Sequence, residues 1–375
     1  MVTFFELEFY KRWGEKVLSR LNESKWTQLF MLTSVLQAII IIVLELRVYS
    51  RNKETEQSLS AVGNITDQMT PNATCIYQPS YVRLNNIKDE NIIFIIFQLF
   101  QVWFCFSAMY NQNSMQVVAI VVINSLFALN GIIQWVEVKK WFLDFEADCP
   151  GRLSLHTQFV KYDLPLIIAL LLFSLALGFL CWKLYRQYGW NIYKKIGADL
   201  NMQNIYRTYL IHFLLLKLDA IFILGLSIEA LNIFVYAIGK LSDLKHLRYM
   251  PEQFYLFHLS VTVLVAVNQI LAYYSARKEW KRGMYVVFFI FGVTILDFLI
   301  LLFYSIGDET GSWYFFIIFV IFGIIMAATT LVWSIFVFGN FNMGLKDILN
   351  KPAEQIDDNL LDNRLSKRFS IDDDE

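Results

Sequence analysis

Proline, cysteine and histidine are scarce in this chain, at six, four and four among 375 residues. Every proline falls in a loop or at the end of an apolar run, with Pro165 opening one run and Pro251 just before another. The Pro- and Gly-interrupted helices of many secondary transporters are therefore not announced. The histidines do not cluster: His156 and His246 sit in loops, and His212 and His258 lie toward opposite ends of neighbouring runs, too far apart to share an ion, so no metal site is expected. HExxH, a GxGD aspartate, DHHC and histidine pairs at helical spacing are absent, as are Walker and GxGxxG patterns, which argues against membrane proteolysis, acyl transfer, ATP-driven pumping and dinucleotide chemistry. Charge is sparse too, at 17% of residues and a net −1, and the bases lie scattered along the edges of apolar runs, so nucleic acid is not an expected partner. No cofactor is implied and the chain reads as a non-enzyme; a membrane-embedded lipid enzyme stays open, without a nucleophile and base at recognisable spacing.

What the chain has in excess is apolar surface: 57% of residues are hydrophobic and 33 are phenylalanine, above the ~45–50% of soluble domains. Eight runs of about twenty residues are each long enough to cross a bilayer as a helix, over 27–48, 91–110, 115–136, 164–184, 209–231, 254–274, 284–306 and 313–338. The expected fold is all-α, a polytopic integral membrane helical bundle with about eight transmembrane helices, and its first partner is the lipid bilayer. Only residues 111–114 separate the second and third runs, which favours a tight helical hairpin over one long helix. Residues 1–26 carry too many charges for a cleavable signal peptide. Phe5, Phe9, Trp13, Val17 and Leu21 recur every fourth position, giving an amphipathic cytosolic segment that lies in the interface or packs on a loop. Residues 339–375 turn polar and read as a disordered cytosolic tail, where Ser366 and Ser370 follow bases and are phosphorylation candidates.

Three features orient the chain with both termini cytosolic. Basic residues favour that side, as in the loop of Arg277, Lys278, Lys281 and Arg282, while Asp308 and Glu309 fall on the lumenal side. Two glycosylation sequons, at Asn64 and Asn72, lie together in the loop after the first run, which this topology makes lumenal. Cys75 and Cys149 both fall in lumenal segments, where a disulfide persists, whereas Cys105 and Cys181 lie within runs as core residues.

Charge inside a bilayer costs ~2.5–3.5 kcal/mol or more per group, which singles out Lys217 and Asp219 in the fifth run and Asp297 in the seventh. Lys217 and Asp219 are two residues apart and face different ways, so neither can neutralise the other along one helix. His212 shares the Asp219 face seven residues earlier, and Asn268 lies at similar depth. These five residues form either a polar pocket or proton relay, with Lys217 as counter-charge to one carboxylate, or a buried ion pair that fixes packing. Gln98, Gln101, Asn124 and Asn130 read as interhelical hydrogen bonders.

Between the fourth and fifth runs, Arg186, Tyr188, Gly189, Trp190, Tyr193, Lys194, Ile196, Gly197, Ala198, Asp199, Met202 and Tyr206, followed by Leu216, Lys217, Asp219 and Gly225, form a pattern over 185–229. This pattern resembles that of an uncharacterised family of fungal Golgi apparatus multi-pass membrane proteins. The resemblance implies a Golgi membrane, where the lumenal signals alone fit any membrane of the secretory pathway, and it brings no activity. Three function classes remain. One is a trafficking, scaffold or membrane-homeostasis protein engaging cytosolic trafficking proteins through its tail. Another is a small-solute or proton-coupled transporter using the buried charges of the fifth and seventh runs. A seven-helix receptor comes third, disfavoured by the eighth run and by the lack of a ligand-binding ectodomain.

Overall fold

The computed structural model describes residues 24–69, 78–148, 156–196, 200–240, 252–306 and 314–343. These form eight helices: α1 Lys25–Met69, α2 Gln78–Tyr110, α3 Ser114–Asp148, α4 His156–Ile196, α5 Leu200–Lys240, α6 Glu252–Lys278, α7 Lys281–Ile306 and α8 Tyr314–Gly339. All eight are long and apolar enough to cross a membrane. Most of segment 1–26, most of the tail with Ser366 and Ser370, and Asn72, Cys75 and Cys149 lie outside the described residues; for Asn64 only the backbone, within α1, is described.

The helices close into two rings. In the first, α1 packs on α2 and α4, and α3 packs on α2 and α4; in the second, α5 packs on α6 and α8, and α7 packs on α6 and α8. Each is an antiparallel four-helix bundle in cyclic chain order, the arrangement that short connections favour. The bundles meet mainly where α5 and α8 touch α3, with α2 and α4 also reaching α5. Phe222 of α5 fills this seam, with ring centroids 6.3 Å from Phe97 and 6.2 Å from Phe127, and 5.0 Å from Phe322 of α8. Behind it Phe97 and Phe127 stack at 3.4 Å.

Turn chemistry sets the connections. Gln112 takes a positive φ of 49°, and the Asn113 side chain accepts from the backbone N–H groups of Met115 and Gln116, capping α3 and closing the α2–α3 hairpin in three residues. Between α6 and α7, Glu279 has a φ of 53°. A Cβ on the following Gly283 would stand 2.3 Å from Ser275 Oγ and 2.4 Å from the Trp280 ring, so only glycine fits there.

The first bundle departs from the sequence expectation at the end away from Lys25. Residues 49–69, 78–90, 137–148 and 156–163, expected in loops, continue the helices beyond the apolar runs. The continuation has its own core of Leu84, Ile87, Val138, Trp141 and Phe142, which explains why helix persists after the transmembrane pattern stops. Pro165 stands near the start of the fourth span, as expected, with α4 continuing before it to His156.

At this boundary a polar network ties three helices. Asn91 donates to Glu45 at 2.9 Å, Asn52 donates to Asn91 at 2.9 Å, and Arg51 donates to Asn52 at 2.8 Å and to Asp163 at 2.8 Å. A second hub lies deeper, where Gln37 Nε2 is placed to donate to Asn124 at 2.6 Å, with Gln101 at 3.3 Å and Gln98 at 3.5 Å. Three of the four amides expected to bond between helices do so; Asn130 is only half-buried.

Candidate functional site

The second bundle carries a ladder of polar side chains in its interior. His212, Asp219 and Ser227 of α5, His258 and Asn268 of α6, Thr294 and Asp297 of α7, and Thr330 and Ser334 of α8 are all essentially shut off from the surface. Heights follow from ~1.5 Å per residue above the end where α5 enters the apolar layer. His212 and Ser334 lie at about 5 and 6 Å, Asn268 and Thr330 at about 9 and 12 Å, and Asp219 and Thr294 both at about 15 Å. Asp297, His258 and Ser227 follow at about 20, 24 and 27 Å, while Glu229, at about 30 Å, lies within electrostatic reach of Asp89 of α2 and so stands at the seam with the first bundle. Successive heights differ by no more than about 5 Å. Helical spacing puts these groups on inward faces: His212 and Asp219 are seven apart, Thr330 and Ser334 four, Thr294 and Asp297 three.

The upper part of the ladder is a closed relay. His258 Nδ1 lies 2.7 Å from Asp297 Oδ2, and His258 Nε2 lies 3.1 Å from the Ser227 carbonyl. A carbonyl only accepts, so Nε2 must carry a hydrogen. The Nδ1–Oδ2 line then holds one proton, either as imidazolium with carboxylate or as neutral imidazole with carboxylic acid. Both forms have zero net charge, so the proton can sit at either end without changing the charge buried in the membrane.

The lower part is loosely bonded. His212 Nδ1 is 3.5 Å from Ser334 Oγ, which donates to the Thr330 carbonyl at 2.7 Å. The Thr330 hydroxyl faces Asp219, yet among the described residues neither Asp219 oxygen, nor that hydroxyl, nor His212 Nε2, nor Asn268 Oδ1 has a hydrogen bond of good geometry. Buried polar atoms so placed are rare in folded proteins and call for a functional or solvent explanation.

Lys217 stands apart from this ladder. Its ammonium donates to Ser107 Oγ of α2 at 2.8 Å and to Gln116 Oε1 of α3 at 3.2 Å, across the seam between bundles. Gln116 in turn donates to the Phe104 carbonyl at 3.0 Å. The expectation that Lys217 serves as counter-charge to Asp219 or Asp297 is therefore corrected: its position on α5 aims it at the first bundle, and His258 takes the partner role at Asp297. Sequence reading missed His258 because it was weighed only as a metal ligand, and missed Ser227 because a main-chain acceptor leaves no sequence signal. It also passed over Glu45, which lies inside the first apolar run, and Arg51 and Asp163, which flank runs. Among the described residues no cluster of three potential metal ligands occurs.

No family model matches the chain and no solved structure matches it. The chain is similar to a UPF0658 Golgi apparatus membrane protein of Schizosaccharomyces pombe, 28% identical over 167 residues that cover 39% of this chain and 47% of that protein. The chain thus spans just under half the length of the curated relative it matches. With eight helices able to cross a membrane, this similarity bears out the resemblance read between residues 185 and 229: the chain is a multi-pass membrane protein of the Golgi apparatus.

Proposed function

We propose that the second bundle moves protons across the membrane along its polar ladder, as a proton pathway or the proton-coupled half of a small-solute transporter. The observation that carries this reading is the His258–Asp297 pair, which holds one transferable proton at constant net charge, standing above an Asp219 side chain that has no hydrogen-bond donor of good geometry among the described residues. Intramembrane acids and histidines in series are the chemistry of proton relays. Asp219 takes the proton on the His212 side, and the His258–Asp297 pair takes it up in turn, Nδ1 of His258 and Oδ2 of Asp297 sharing it.

The orientation that goes with this reading keeps both termini cytosolic and the projecting end of the first bundle lumenal, glycosylated at Asn64 and Asn72 and tied by a Cys75–Cys149 disulfide. The helix lengths support the pairing. Gln78, three residues after Cys75, and Asp148, one residue before Cys149, stand about 20 and 18 Å beyond the apolar runs, nearly level at one end of the bundle.

The test is proton flux into liposomes holding purified protein, under an imposed pH gradient with the membrane potential clamped. The native chain should dissipate the gradient at least tenfold faster than empty liposomes, and Asp219→Asn should return the rate to that of empty liposomes at equal folded yield. Flux indistinguishable from empty liposomes would overturn the reading and return the function to trafficking or scaffolding through the tail.

A further inference from the structure

Beyond the ladder, the outer face of α6 carries a groove of about 580 Å3 lined by Val267, Ile270, Leu271, Tyr274, Lys278 and Trp280. Val267, Ile270, Tyr274 and Trp280 are each more than half exposed, so the groove faces the surroundings of the bundle and not its core. Its walls change character with height. Val267, Ile270 and Leu271 form an apolar floor within the membrane run, and Tyr274 and Trp280 stand at the level where aromatic residues mark the interface. Lys278 closes the end, its ammonium 5.4 Å from the Tyr274 ring centroid.

The charge around that end has one sign. Arg277, Lys278, Lys281 and Arg282 are all exposed within six residues of the α6–α7 hairpin. The one acid among them, Glu279, accepts the backbone N–H of Asn342 at 3.1 Å and is held against the end of α8. An apolar trough that opens onto four cations complements a molecule with acyl chains and an anionic head, because bases at a membrane surface attract anionic lipid. Neutral lipid would satisfy the trough and leave the bases without a counter-ion.

We infer that this groove is a binding site for an anionic glycerophospholipid, its chains along Val267, Ile270 and Leu271 and its phosphate at Lys278 and the hairpin bases. Trp280 reports on occupancy directly. In nanodiscs of phosphatidylcholine containing a tenth of lipid with brominated chains, the Trp280-dependent emission is the difference between the native chain and Trp280→Phe. This emission should be quenched at least threefold more when the brominated lipid is phosphatidylserine than when it is phosphatidylcholine. Lys278→Gln with Arg277→Gln, at surface positions where folding should be unaffected, should remove the difference, and soluble glycerophosphoserine should not compete. Equal quenching by both lipids, or a preference that survives the double substitution, would overturn the inference, and competition by the soluble headgroup would shift it to a headgroup site without chains.

Discussion

At the residue scale the buried polar groups divide into those that hold the fold and those available for proton chemistry, and substitution separates them. Arg51 and Asp163 are paired at 2.8 Å with almost no exposure, so Arg51→Met leaves a carboxylate buried without its cation. Breaking such a pair from one side costs about 3–5 kcal/mol. Thermal unfolding in detergent should show that loss, and Arg51→Met with Asp163→Leu should recover most of it. Lys217→Met should cost about 1–3 kcal/mol by stranding Ser107 and Gln116, with proton flux per folded molecule unchanged. Lys217, Asp219 and Asp297 were legible as charges inside apolar runs, whereas Glu45, Arg51 and Asp163 near the run ends were not. Nor were the partners of the first three. Which face of α5 looks into its own bundle and which into the neighbour depends on how two bundles meet, and one helix's sequence does not encode that.

At the scale of elements, close packing between helices is set by small residues at particular heights. A Cβ on Gly323 of α8 would stand 2.7 Å from Leu226 of α5 and 3.0 Å from Phe298 of α7, whereas one on Gly292 of α7 would meet nothing within 4 Å. Gly323→Ala should therefore lower stability by about 1–3 kcal/mol by forcing helices apart, and Gly292→Ala should be neutral or slightly stabilising. Paired denaturation curves check both. The number of spans and the α2–α3 hairpin follow from apolar run length and from the Asn-Gln-Asn turn. The helical continuation of α1 to α4 beyond the membrane does not, since the segments 49–69 and 78–90 are polar and their helix rests on tertiary contacts around Trp141 and Phe142.

At the scale of the whole molecule, two four-helix bundles share a seam filled by Phe222 and spanned by Lys217. Phe222→Ala should cost about 3–5 kcal/mol and loosen one bundle from the other, seen as faster proteolysis between α4 and α5. No repeat in the sequence announces this division, because two bundles can share a helix order while their interiors differ. One interior holds an amide hub and an Arg–Asp pair, the other the acids and histidines of the ladder. The division assigns anchoring to the first bundle and proton movement to the second, and the most direct measurement of that assignment is gradient-driven proton flux through reconstituted protein carrying Asp219→Asn, His258→Gln or Arg51→Met with Asp163→Leu. The first two should abolish flux, and the paired substitution in the first bundle should keep it. Flux that survives Asp219→Asn and His258→Gln, or that is absent from the native chain, would contradict that assignment.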